Sequence, residues 1–284
     1  MRRKNKNRIP FLILFIIHTF LIGLAFYKSE AKKNTFIFLG SIMGFAYLLE
    51  FFVLNLFKAY KYKPKVIKDR SLDNIFGAFL SQSIFVPFTA VYLTITKAGW
   101  GTKFLGGIYF TLVEILFLQL GVYKHNWWRT IYTFILIPIY FVLSDWWYYG
   151  ITQKNVFVRN LSFFLMIMVT ETNLFLLLAL LRKIRFGWGR YHAWTEHFII
   201  TPLYSITFSI FTYFTLKKQN NGWAKIKVLL FDACLYQIFV KTRILKMKIK
   251  LIHYILIKGV MVMVYGTYRK WILGEVGFNQ SDKN

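Results

Sequence analysis

The sequence predicts an all-α fold: a polytopic transmembrane helix bundle of about nine spans, with its amino terminus inside. Three observations predict it. Hydrophobic residues make up 57% of the 284 positions, aromatics 20%, and the mean hydropathy is +0.46, whereas a soluble domain is about half apolar. The apolar residues gather in runs of spanning length, since at 1.5 Å rise per residue ~20 residues cross a hydrocarbon layer of ~30 Å. The 37 Lys and Arg residues lie in short clusters between those runs, which reads as topology and contact with anionic lipid. No basic domain stands apart from the spans, so the net charge of +26 does not point to nucleic acid. The single cysteine, Cys234, excludes an internal disulfide framework and any multi-cysteine metal site.

The basic residues 1–8 lead into a first segment, Ile9 to Tyr27. It reads as an uncleaved helix, although Gly23-Leu24-Ala25 offers small residues at a plausible cleavage site, and cleavage would leave eight spans. The second segment, Thr35 to Phe57, contains Glu50 and ends in the most basic loop, whose Lys58, Lys61, Lys63, Lys65, Lys68 and Arg70 are placed for lipid headgroups. The third, Ile75 to Thr96, holds Pro87, which lacks a backbone donor and predicts a kink. The fourth, Phe104 to Tyr123, carries Glu114 near its middle and Gln119 beyond, and the fifth, Trp127 to Tyr149, carries Pro138 and Asp145.

The sixth segment, Asn160 to Leu181, has Thr170, Glu171, Thr172 and Asn173 at its centre. A second basic loop from Arg182 to Arg190 brings Arg182, Lys183 and Arg185 to the headgroups. The seventh segment, Phe198 to Leu216, contains Pro202 and a hydroxyl stripe of Thr201, Ser205, Ser209 and Thr212, a pattern that joins helices more often than it lines a pore. The eighth, Ala224 to Val240, is short and carries Asp232; without it the count again falls to eight. The ninth, Leu251 to Tyr268, carries His253 and Lys258. With the amino terminus inside, inner regions hold 22 Lys/Arg and outer regions 14, which supports that orientation. All nine tryptophans fall at or near segment ends, as an aromatic belt requires.

Segments two to five and six to nine also read as a tandem repeat. Each block opens on a glutamate-bearing helix (Glu50, Glu171), passes a basic loop, and enters a proline-containing helix (Pro87, Pro202). Each then turns through Gly-Trp into a helix with an acid and a glutamine five residues on: Glu114 with Gln119, Asp232 with Gln237. Four helices per block give a parallel repeat. The predicted organisation is an anchor (1–34), two four-helix units (35–150 and 151–272) and a polar tail (273–284).

Between about Glu50 and Tyr132 the residues Tyr62-Lys-Pro-Lys65, Asp73, Pro87, Glu114 and Trp127-Trp128 stand in a pattern that resembles an uncharacterised family of small multi-pass membrane proteins from spore-forming Gram-positive bacteria. The resemblance covers about a third of the chain. It implies a bacterial habitat and a topology, and no activity.

The chemistry lies in the acids. A carboxylic acid at mid-membrane depth costs roughly 2.5–3.5 kcal/mol on insertion scales and calls for a partner or a task. The candidate intramembrane site residues are Glu50, Glu114, Asp145, Glu171, Asp232 and Lys258. The helical neighbours of Glu171 on its own face, Phe164, Ile167, Met168, Leu174, Phe175 and Leu178, offer no hydrogen bond, so its partner must come from another helix. Glu50 has Tyr47 and Asp232 has Tyr236 within one turn, so local partners are available. Lys258 is the only basic residue at that depth and predicts a buried pair with Asp232 or Glu171. His192 and Glu196-His197 lie near one membrane face but lack metal-binding spacing, so neither metal nor cofactor is expected. No phosphate-binding or nucleophile motif is present.

Three functions stay open. The favoured one is a non-enzymatic structural or partner-binding component of the bacterial cytoplasmic membrane, whose partners are the bilayer, anionic lipids, and another membrane protein or a second copy of itself. The second is a secondary transporter or channel for protons, cations or a small solute that uses the carboxylates. The third is an intramembrane lipid-modifying enzyme with Glu196 and His197 at its mouth.

Overall fold

The computed structural model describes residues 7–188 and 191–274. The first six residues of the basic amino terminus, residues 189–190 of the second basic loop and the polar tail from residue 275 lie outside them. The chain forms two compact units, Met1–Val158 and Arg159–Asn284.

In the first unit, α1 (Arg8–Lys28) is followed by α2 (Lys32–Glu50), which runs on through a π-helical turn over Phe51–Leu56 into strand β1 (Tyr60–Tyr62). Next, α3 (Arg70–Phe79) passes through a second π-helical turn (Leu80–Phe85) into α4 (Val86–Ile95). Helix α5 (Trp100–Gln119), strand β2 (Tyr123–His125) and α6 (Thr130–Thr152) complete it. Helix α4 is the hub, with α1, α2 and α6 packed on it and Ala90 and Val91 fully enclosed. The first helix belongs to this unit: Phe11, Leu14 and His18 form its buried face. Strand β1 pairs antiparallel with β2, Tyr60 opposite His125 and Tyr62 opposite Tyr123, which ties the α2–α3 and α5–α6 connections to one end of the unit.

In the second unit the order is α7 (Val156–Leu180, entering the unit at Arg159), β3 (Ile184–Phe186), α8 (Trp194–Lys218), α9 (Gly222–Lys241), β4 (Leu245–Met247) and α10 (Leu251–Leu273). Helices α9 and α10 pack on α8 and on each other. Strand β3 pairs antiparallel with β4, Ile184 opposite Met247 and Phe186 opposite Leu245.

Eight helical stretches among the described residues are long and apolar enough to cross a membrane: α1, α2 with its π-turn, α3 to α4, α5, α6, α7, α8 and α10. Their outward faces are apolar, with Ile16 60%, Phe20 65% and Leu105 62% exposed, surface that only lipid or a partner satisfies. The ninth, α9, has 20 residues but carries Lys225, Lys227 and Asp232. Its depth follows from the ribbon. Helices α8 and α9 join at one end through 219–221, and β3, preceding α8, pairs with β4, following α9, at the other. Helix α9 therefore covers the same depth as α8.

The helix ends differ from the apolar runs by a few residues because the terminal turns are amphipathic. One difference moves a candidate residue: the fourth segment is expected to reach Tyr123. The helix ends at Gln119, and Gly121, at φ +67°, turns the chain into β2. Glu114 therefore lies near the helix end, beside the ribbon, rather than mid-span. Helix ends follow a rule. At Lys97, Lys154, Arg182 and Arg243 a basic residue takes the left-handed conformation just past a helix, at φ between 53° and 57°, where glycine is usual. Its amide and the next bond back to the last turn, as in Lys97 N to Thr94 O and Ala98 N to Leu93 O. A cation there offsets the carbonyl end of the helix dipole.

The prolines act in three ways. The chain meets Pro87 directly after the π-turn, at the start of α4, so the helix widens before it rather than breaking. Pro138 lies inside α6 and seats in a notch made by Gly107 of α5, where a Cβ would come within 2.6 Å of the proline Cγ. Pro202 lies inside α8.

Candidate functional site

In the second unit the buried charges converge. Lys258 on α10 sets its Nζ 2.8 and 2.7 Å from the two oxygens of Glu171 on α7, and 2.9 Å from Asp232 Oδ1 on α9. Tyr265 donates to Glu171 at 2.6 Å, and Tyr204 donates to Asp232 at 2.7 Å with Tyr254 at 3.3 Å. The ammonium also lies over the Phe208 ring, 3.9 Å from its centroid. Lys258, Glu171 and Asp232 are 1%, 0% and 3% exposed. Both expected pairings of Lys258 are thus present at once, and the partners of Glu171 do come from another helix. Asp232, however, turns to Tyr204, Tyr254 and Lys258 rather than to Tyr236, because residues from α8 and α10 reach it across the bundle.

The hydroxyl stripe of α8 is fully buried. Thr201 lies 3.4 Å from His197, while the hydroxyls of Ser205, Ser209 and Thr212 have no partner among the described residues. Below it, His197 Nδ1 accepts the Phe186 amide of β3 at 3.0 Å, and Glu196 accepts the amides of Trp188 and Ala193 at 3.1 and 2.9 Å. These two residues brace the ribbon. No group of three or more metal-binding side chains occurs among the described residues.

In the first unit Glu50 is 8% exposed, and no lysine or arginine among the described residues pairs with it. Its Oε2 accepts from Tyr60 at 2.5 Å and from Gln82 at 3.1 Å, and its Oε1 has no partner among the described residues. These partners replace the expected Tyr47, because a π-turn follows Glu50 and Gln82 itself sits in the second π-turn, where a widened helix re-aims side chains. Tyr60 and Gln82 line a cavity of about 130 Å³, with Glu114 and Thr133 on its wall and no Lys, Arg or His among its lining residues. Glu114 is bonded to His125 Nε2 at 2.9 Å and by the Thr133 hydroxyl. At the ribbon end the wall is aromatic. Tyr60 packs on Tyr62, Tyr123 and Trp128 with ring centroids 5.2–5.6 Å apart. Burial and the nearby Glu50 carboxyl raise the Tyr60 hydroxyl well above its ordinary value, so it serves as a donor.

The remaining candidates lie apart from both clusters. Asp145 is 40% exposed and pairs with Lys103 and the Thr94 hydroxyl. Lys103 is thus a second enclosed lysine besides Lys258, missed because the apolar run begins after it. Asp73, which sequence reading had not placed in a site, accepts the amides of Lys65, Val66 and Ile67 at 2.8–2.9 Å and so fixes the first basic loop. Asn74 accepts the Tyr62 amide at 2.7 Å. Lys58, Lys61, Lys63, Lys65, Lys68, Arg70, Arg182 and Lys183 are exposed, whereas Arg185 is half-buried with its guanidinium 4.4 Å over the Trp194 ring.

No family model, curated protein or solved structure matches this chain. The eight apolar helices among its described residues, with outward-facing Ile, Leu and Phe, make it an integral multi-pass membrane protein.

Proposed function

We propose that the chain is a non-enzymatic binding component of the bacterial cytoplasmic membrane, built by tandem duplication of one four-helix unit, in which the second copy is a sealed structural body. One observation carries this reading: Lys258 is held between Glu171 and Asp232 at full burial. A proton or cation path needs a site that can empty, and an ammonium clamped by two carboxylates is the opposite arrangement. The lipid-enzyme reading loses support because Glu196 and His197 are engaged with backbone amides.

The duplication is supported by the ribbons, whose flanking bonds correspond in two pairs. Lys63 N donates to Val122 O and Gly187 N to Ile244 O; Asn126 N donates to Ala59 O and Lys248 N to Lys183 O. Asp73-Asn74 and Glu196-His197 do the same work, the acid collecting loop amides and its neighbour taking the amide of the third strand residue. This register matches Asp232 with Phe110, so Glu114 and Asp232 are not equivalent, nor are Pro87 and Pro202.

The inside orientation of the amino terminus is supported within the first unit. Asn7 and Arg8 bond to the carbonyls of Lys63 and Lys65, so the charged start of the chain and its most basic loop share a side. The exposed lysines there fit anionic headgroups. The transport reading keeps one favourable observation, the first-unit cavity beside Glu50.

Cysteine accessibility tests the sealed unit. With Cys234, which is exposed, replaced by Ser, single cysteines at 205 or 209 should resist a membrane-impermeant maleimide from both sides, while one at 61 reacts. Labelling at 205 or 209 in folded protein would remove the structural reading of the second unit.

A further inference from the structure

The two units treat one location differently. Helices α5 and α9 have equal length, as do α6 and α10, so with the ribbons in register their residues correspond. Asp232 then matches Phe110, Lys258 matches Ile137, and Tyr254 matches Thr133. On α8, numbered from the Asn74–His197 match, Phe208 corresponds to Phe85. All four first-unit residues line the cavity. Where the second unit has an ammonium between carboxylates on an aromatic face, the first has apolar side chains and open space.

The carboxylates have not gone from the first unit; they have moved. Glu114 stands one helical turn beyond Phe110 on the cavity wall, and Glu50 lies behind the wall, bonded to its lining residues Tyr60 and Gln82. Glu50 is more than nine-tenths buried, with one oxygen unpartnered among the described residues. A carboxylate in such surroundings without a cation is costly, and no cationic side chain lines the cavity among the described residues. At the ribbon end the wall is a cluster of electron-rich rings, Tyr60, Tyr62, Tyr123 and Trp128, the kind of surface on which ammonium ligands are recognised.

We propose that the first-unit cavity is a binding site for a small organic ammonium group, taken by Glu114 and the aromatic wall with Glu50 behind Tyr60 and Gln82, and that the second unit is the same site filled permanently by Lys258. The inference rests on the binding role proposed above. The cavity volume of about 130 Å³ approaches the ~150 Å³ that holds a benzene in an engineered apolar cavity. That suits a head of about five heavy atoms. The ammonium belongs either to a free amine or to a lipid headgroup such as ethanolamine.

Calorimetric titration of the full chain in a detergent without amines tests this, with n-butylammonium chloride against n-butanol and sodium chloride. Saturable binding of n-butylammonium alone is the expected result, weakened at least tenfold by Glu114→Gln. The Ile137→Lys variant places an internal ammonium where Lys258 stands in the other unit and should abolish binding. Protein that is monodisperse yet binds no n-butylammonium, binds n-butanol equally, or binds unchanged in folded Glu114→Gln overturns the proposal. In nanodiscs of phosphatidylglycerol, adding phosphatidylethanolamine weakens n-butylammonium binding if the natural ligand is a headgroup, and leaves it unchanged if it is a free amine. Conversion of the amine, read by mass spectrometry, would sink the non-enzymatic reading while leaving the site intact.

Discussion

Lys258 Nζ lies 2.8 and 2.7 Å from the two oxygens of Glu171, a residue 87 positions earlier in the chain. That pair closes α10 onto α7, and Asp232 adds α9 at 2.9 Å. Removing one member of a buried pair leaves a charge without compensation and costs about 3–5 kcal/mol. Lys258→Met should therefore lower the stability of the protein in detergent by about that amount, read from its denaturant midpoint. Replacing Glu171, Asp232 and Lys258 together by apolar residues of similar size should restore much of the loss, and a triple variant as unstable as the single one would show that the pairing is not the cause.

Asp73 governs the first basic loop. Three consecutive amides, those of Lys65, Val66 and Ile67, end on its carboxylate. Asp73→Ala strands those donors, at a cost of about 1–3 kcal/mol for the least solvated of them. Amide hydrogen exchange at 65–67 should accelerate at least tenfold while α5 and α6 stay protected. Unchanged exchange at those three amides would remove Asp73 as the anchor.

Much of this architecture is legible before any coordinates, and the rest is hidden for identifiable reasons. The spans are legible because hydrocarbon imposes length and composition together, and the Lys258 pairing is legible because so few charges occur at that depth. The ribbons are not. Tyr60–Tyr62 and Tyr123–His125 are three residues each and pair across more than sixty positions, too short for any alternation to register. The true partners of Glu50 were hidden by the two π-turns, which shift the facing of every residue beyond them; helical spacing points to Tyr47 while the structure supplies Tyr60 and Gln82. Lys103 was hidden because a lysine at the edge of an apolar run reads as a boundary, yet its ammonium turns inward to Asp145.

Close approach of α5 and α6 depends on Gly107. A Cβ there would lie 2.6 Å from Pro138 Cγ and 2.9 Å from its Cδ, both in a rigid ring that cannot rotate away. Gly107→Ala should destabilise the protein by about 1–3 kcal/mol through overpacking. Gly259 on α10 faces open space, so Gly259→Ala should be neutral or gain up to about 1 kcal/mol from helix propensity. Comparing both variants by thermal unfolding in one detergent checks the contrast. Equal melting temperatures would mean that α6 moves aside freely.

His197 separates a structural role from a chemical one. Its Nδ1 accepts the Phe186 amide at 3.0 Å, the task that Asn74 Oδ1 performs for Tyr62 at 2.7 Å. What that position requires is an acceptor, and an amide oxygen supplies one without imidazole chemistry. His197→Asn should therefore keep near-parental stability and leave the lipid profile of expressing cells unaltered. His197→Leu should lose about 1–3 kcal/mol by stranding the strand amide. A mass-spectrometric lipid change that vanishes in a well-folded His197→Asn variant would instead assign the imidazole a reaction and overturn the bracing role.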